Sequence, residues 1–153
     1  MTKKCLSAVF GILLLAGLAN AVQAGQEGKA QAGTRALKVK MHYTGSGTVD
    51  EKHKIFIVLF NSADFMQGNL PPIATNTASS KEETVTFSDL SDSPVYAAVI
   101  YDPSGNYDGQ SPPPAGSSTA LYSKTPGVPE PITIDQGKTA EVVLAFNDSH
   151  KMK

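Results

Sequence analysis

The chain has 153 residues, with 13 basic and 14 acidic side chains, a formal net charge of −1 and one cysteine. With charge so balanced and no basic stripe, the electrostatic footprint that phosphate-backbone binding needs is missing, and nucleic acid is not an expected partner. A lone cysteine forms no disulfide within the chain, so the fold has to rest on its core.

Lys3 and Lys4 precede an apolar run over residues 5–18, and Val22 and Ala24 stand at the minus-three and minus-one positions of a signal-peptidase site before Gly25. Residues 1–24 are therefore expected to be a signal peptide and the mature protein to be periplasmic or secreted. The apolar run falls short of the roughly 20 residues that span a bilayer, so no membrane span is expected after cleavage. Cys5 precedes most of the run, the wrong place for a lipoprotein anchor. Of the 13 basic residues, Lys3 and Lys4 go with the leader, so 11 remain against 14 acids, a net of −3. Roughly 129 mature residues make one domain, of a size at which folding buries about two-thirds of the unfolded surface.

Residues 25–35 lack apolar periodicity and are expected to form a flexible arm before a domain over 36–147, with 148–153 as a tail. Over 37–43, Leu37, Val39, Met41 and Tyr43 alternate with Lys38, Lys40 and His42, which predicts a strand with one face in the core. After a Gly-Ser-Gly turn, 55–60 is apolar on both faces, as an interior strand would be. Residues 61–69 read as a loop with room for a short helical turn, because Pro71 and Pro72 forbid a long helix. Short strands are predicted over 73–75 at a sheet edge, 83–87, 95–101, 120–123 and 132–134. The Pro-rich stretch 111–118 predicts an extended surface loop, and the alternating run 139–146 a closing strand. About seven short strands without a long helix predict an all-β, antiparallel β-sandwich of immunoglobulin or prealbumin-like form.

Two segments carry a resemblance. FSDLSDSPVYAAVIYD (87–102) is similar to the sheet residue, leucine turn, tyrosine strand and aspartate of bacterial exported transthyretin-like domains, and PITIDQGKTAEVVLAF (131–146) resembles their closing hairpin. The wider group includes carboxypeptidase-regulatory-like domains, and the likeness covers about residues 37–146. It implies a prealbumin-like sandwich with an accessory or binding role and carries over no catalytic residue. The chain departs from the pattern at Ser93 and Pro94, where such domains usually place a glycine, and its carboxylate-rich loop is thinned to Asp102 and Asp108.

The turn after the 95–101 strand, DPSGNYDG, is the segment closest to chemistry. Asp102, Ser104, Asn106 and Asp108 alternate as calcium ligands do at positions one, three, five and seven of a loop. Position twelve is Pro113 and position six Tyr107, which excludes an EF-hand and leaves a shallower calcium site completed by carbonyls and water. The same residues are also those a tight turn prefers, with Gly105 and Gly109 supplying positive φ. Copper offers another reading through Met41, His42, His53, Met66, His150 and Met152, and His150-Lys151-Met152 resembles the ending of periplasmic copper chaperones. A solvated tail and ordinary strand residues account for the same set. No serine sits in a GxSxG elbow, and Glu82 with Glu83 or Asp89 with Asp92 lie where charge is usually solvated. Tyr101, Tyr107 and Tyr122, near the Pro-rich loop, suit recognition or rim packing. The expectation is a non-catalytic exported binding or accessory module without a cofactor, whose partner is a cell-envelope protein or polysaccharide. Weak calcium binding through 102–108 is the alternative, and periplasmic copper binding the less favoured one.

Overall fold

The computed structural model describes residues 34–68 and 70–153. The expected signal peptide and almost all of the expected arm lie outside the described residues. Among the described residues there are seven strands: β1 (Arg35–Tyr43), β2 (Ile55–Phe60), β3 (Ala74–Ala78), β4 (Glu82–Leu90), β5 (Tyr96–Tyr101), β6 (Ser118–Leu121) and β7 (Thr139–Phe146). They form a three-stranded sheet in the order β4-β1-β7 and a four-stranded sheet in the order β3-β2-β5-β6. The two pack face to face as a β-sandwich.

Period-two patterning explains the core. In β1, Leu37, Val39, Met41 and Tyr43 are buried, while Lys38, Lys40 and His42 are exposed. Opposite them, β4 contributes Val85 and Phe87 and β7 contributes Val142, Leu144 and Phe146. The second sheet answers with Ile55, Ile57 and Leu59 from β2 and Ala97, Val99 and Tyr101 from β5. Leu37, Ile57 and Val99 are each wholly shielded from solvent, so truncating Leu37 or Ile57 to alanine would cost about 2–5 kcal/mol.

The sheets are not antiparallel throughout. β1 and β7 pair in parallel, in register from Ala36 opposite Thr139 to Tyr43 opposite Phe146. No hairpin joins these strands. β7 is reached from β6, in the other sheet, by a long connection that leaves its direction free to match β1. Order also begins earlier than expected: Arg35 already belongs to β1, with its Nε donating to the Ile134 carbonyl at 2.9 Å and its Nη1 to Ser91 at 3.0 Å.

Elsewhere the boundaries shift. The edge strand predicted at 73–75 runs from Ala74 to Ala78, because Pro71 and Pro72 hold back its start; the Ile73 amide still donates to Leu59. The strand predicted at 132–134 shrinks to one bridge, Val95 with Ile132. Pro129 and Pro131 lack the N–H groups a ladder would need there. The segment 61–69, read as a loop with room for a helical turn, holds a 3-10 turn, Ala63–Gln67, capped by the Ser62 hydroxyl on the Asp64 amide and closed by Gly68 at φ 79°.

Candidate functional site

The acidic turn leaves the end of β5 with Asp102 almost fully buried, at 4% exposure. Its carboxylate is spent on the turn itself. Oδ1 accepts from the Ser104 amide at 2.9 Å, and Oδ2 accepts from the amides of Asn106 at 2.9 Å and Tyr107 at 3.0 Å. The Ser104 hydroxyl reaches both oxygens, at 2.8 and 2.7 Å. Burial opposes ionisation of Asp102, but these hydrogen bonds outweigh it and hold the carboxyl below the ordinary aspartate range. Asp108 caps the next stretch instead, accepting from the amides of Gln110 and Ser111, both at 2.9 Å.

Of the four residues with calcium-ligand spacing, the structure therefore joins Asp102, Ser104 and Asn106, whose Nδ2 donates to the Ser104 hydroxyl at 3.1 Å. Asp108 faces its own amides. Each carboxylate serves N–H and O–H donors in the way that turn-forming aspartates do. Gly105 completes the turn at φ 69°, and a Cβ there would lie 2.8 Å from the Lys52 carbonyl, so the turn is pressed against the β1–β2 loop.

The same loop, after Asp102, folds over the outer face of the four-stranded sheet. That face is apolar. Val58, Ala98 and Ile100 are buried there in a second cluster, away from the main core. Tyr107 covers one side with its ring edge-on to Phe56 at 4.8 Å, and the 3-10 turn covers another with Phe65 stacked on Phe60 at 4.2 Å. Phe56, Phe60, Phe65, Tyr107 and Leu121 are each half-buried. Burial, and then the nearby Asp108 charge, raise the pKa of Tyr107. Beside Tyr107 and Phe56, a depression of about 230 Å³ opens between the acidic turn and the β1–β2 loop, rimmed by Lys52, Lys54 and Glu51. Lys54 and Glu51 pair at 3.0 Å.

No protein-family model matches the chain, and no curated protein or solved structure matches it.

A polar cluster that sequence reasoning missed lies at the end of the sandwich where β1 finishes. Asp148, assigned to the tail, accepts on Oδ1 from the Tyr43 hydroxyl at 2.6 Å and the Ser118 hydroxyl at 2.7 Å. Its Oδ2 accepts from the Ser46 amide at 2.9 Å and the Ser46 hydroxyl at 3.2 Å. The hydrogen bond from Tyr43 leads the set that lowers the Asp148 pKa to about 2, against the opposing effect of burial. Burial first, and then the bond to Asp148, push the Tyr43 hydroxyl well above the ordinary tyrosine range. Beyond Asp148 the chain docks as an added edge. The Thr119 amide donates to the His150 carbonyl, and the Met152 amide to the Ser117 carbonyl, both at 2.9 Å. Nothing in composition marks this; only the pairing of remote backbone groups does.

The copper candidates are spread over the fold. Met41 is a core residue of β1, at 3% exposure. His42 pairs with Glu82 at 3.0 Å across the outer face, and His53 with Asp50 at 2.8 Å within a turn. Met66 is exposed on the 3-10 turn, and His150 and Met152 follow Asp148 along the β6 edge. Among the described residues, no three His, Cys, Asp or Glu side chains are grouped to hold a metal ion. Tyr101 is buried, its hydroxyl donating to the Thr48 carbonyl at 2.7 Å, and is a packing residue.

Proposed function

We propose that this domain is a non-catalytic binding or accessory module of the cell envelope, periplasmic or secreted, that recognises its partner with the outer face of the four-stranded sheet. One observation carries this reading: that face is apolar where a sandwich surface is ordinarily polar, and its cover is two loops bearing Phe65 and Tyr107. The partly exposed aromatic edges offer apolar area with a polar tip, and the depression rimmed by Lys52 and Lys54 adds charge beside them. A cell-envelope protein or polysaccharide is the partner class that such a surface and an exported chain suit.

A prealbumin-like, transthyretin-like form of sandwich belongs to the same reading. Strand partition supports it: the first, fourth and seventh strands share one sheet, whereas immunoglobulin constant domains put the first, second, fourth and fifth together.

The test is retention of the protein on envelope proteins and polysaccharides, with Phe60→Ser and Tyr107→Ser compared with Thr84→Ala on the other sheet. Loss with the first two alone, at an unchanged unfolding midpoint, supports the outer face. Equal retention of all three would place recognition elsewhere, and turnover of ester or glycoside substrates would overturn the non-catalytic reading.

A further inference from the structure

Sheets end in edges, and an unpaired edge is a template for another strand unless something blunts it. Three of the four edges here carry such a device. At β6, residues 150–152 lie alongside, bonded through the amides of Gly116, Thr119 and Met152. β3 is five residues long, and its Asn76 side chain accepts from the Thr77 amide at 2.8 Å and donates to the Thr86 carbonyl of β4 at 3.1 Å. That contact also occupies part of the β4 edge, which is further kinked by Asp89 at φ 57° and by a register shift opposite Arg35 and Leu37.

β7 has none of these. It is eight residues long, with no proline or glycine, and among the described residues it pairs with β1 alone. The carbonyls of Lys138 and Phe146 accept from Ala36 and Thr44, so even-numbered positions face β1. By alternation, the N–H and C=O groups of Thr139, Glu141, Val143 and Ala145 face outward. The strand's one charge, Glu141, is drawn back onto β1 by Lys40 at 2.9 Å. Val143, at 60% exposure, is the most exposed large apolar side chain among the described residues.

We propose that β7 is a self-association edge through which two copies of this chain join antiparallel, making one continuous six-stranded sheet, β4-β1-β7-β7-β1-β4. A second copy is the occupant because the edge is self-complementary. Faces match only when odd positions meet odd positions. With Val143 opposite Val143, the two exposed valines bury one another and each Glu141 meets Ala145. The neighbouring register, centred on Val142, would set the two Glu141 side chains as diagonal neighbours, a like-charge arrangement that disfavours it. This edge belongs to the other sheet from the aromatic outer face and stands independently of the proposed function.

Light scattering on the purified protein over a concentration series tests the interface. The expected mass rises from one copy toward two, and Val143→Lys or Ala145→Pro holds it at one. Proline at 145 removes an outward N–H that no ladder bond within the chain uses, so the fold is retained. Amide exchange on the unsubstituted protein reads the same edge: Glu141, Val143 and Ala145 are slow in the dimer and fast on dilution. A single-copy mass at every concentration overturns the proposal, as does a dimer that survives both substitutions. Slow exchange at these three amides in a monomer would also overturn it, since another part of the chain would then cover the edge.

Discussion

Two aspartates organise this domain, and neither acts alone. Asp102 gathers the amides of Ser104, Asn106 and Tyr107 around a buried carboxylate, so Asp102→Ala strands three N–H donors and is expected to cost about 2 kcal/mol in urea unfolding. Because those donors already serve the carboxylate, added calcium is expected to leave the unfolding temperature of the native protein unchanged; a rise reversed by chelator would show a cation displacing them. Asp148 ties β1, the β1–β2 loop and β6 together through Tyr43, Ser46 and Ser118. Asp148→Asn keeps the shape but puts N–H groups where an acceptor stood, and is expected to lower stability at neutral pH by about 1–3 kcal/mol. The alternation of Asp, Ser and Asn in 102–108 was legible in the sequence, but the amide and hydroxyl donors that meet the two carboxylates were not. Calcium ligands and turn caps are the same residue types, and only the positions of the backbone amides distinguish them.

At the scale of elements, the clearest strands were legible because one face of each meets the core. Leu37 to Tyr43 and Thr139 to Phe146 alternate cleanly, and β2 occupies the predicted residues. Its interior position is the one its two-sided apolar character predicted. β2 is central in its sheet, but its outer residues Phe56, Val58 and Phe60 are covered by a loop and a 3-10 turn rather than by another layer. The docking of the 148–153 segment along β6 has no local signal, because backbone pairing has no side-chain signature. Its removal makes two separable predictions by thermal unfolding. Ending the chain after Ser149 loses the bonds along β6 and lowers the midpoint modestly, whereas ending it after Asn147 also removes Asp148 and lowers it further. Equal effects would mean that the Asp148 cluster contributes nothing beyond the edge pairing.

For the whole molecule, the titrating groups set a window of stability. Asp148 and Asp102 have lowered folded pKa values, so the stability they contribute is fully present above the unfolded carboxylate range near pH 4 and is lost as pH falls through the folded values, about 2 for Asp148. Tyr43, Tyr101 and Tyr107 have raised values, chiefly through burial, so their contribution is present below the unfolded tyrosine pKa near 10 and lost as pH rises beyond it. Denaturant midpoints are expected to be flat from about pH 5 to 9 and to fall on both sides. Asp148→Asn should make the acid limb shallower, and the alkaline limb shallower as well, since the bond and charge of Asp148 help to raise Tyr43.

The sequence by itself determined an all-β sandwich, because period-two burial, frequent turn residues and the lack of a long helix leave few other ways to hide the apolar faces. It also located the turns, since proline and glycine act on their own backbone. Tertiary structure alone decided that β1 and β7 run parallel, that Asp148 closes the end of the sandwich, and that one sheet face is roofed while, among the described residues, β7 pairs with β1 alone. Each of these depends on which distant backbone groups come to lie side by side, and a contact between residues a hundred positions apart leaves no local pattern to read.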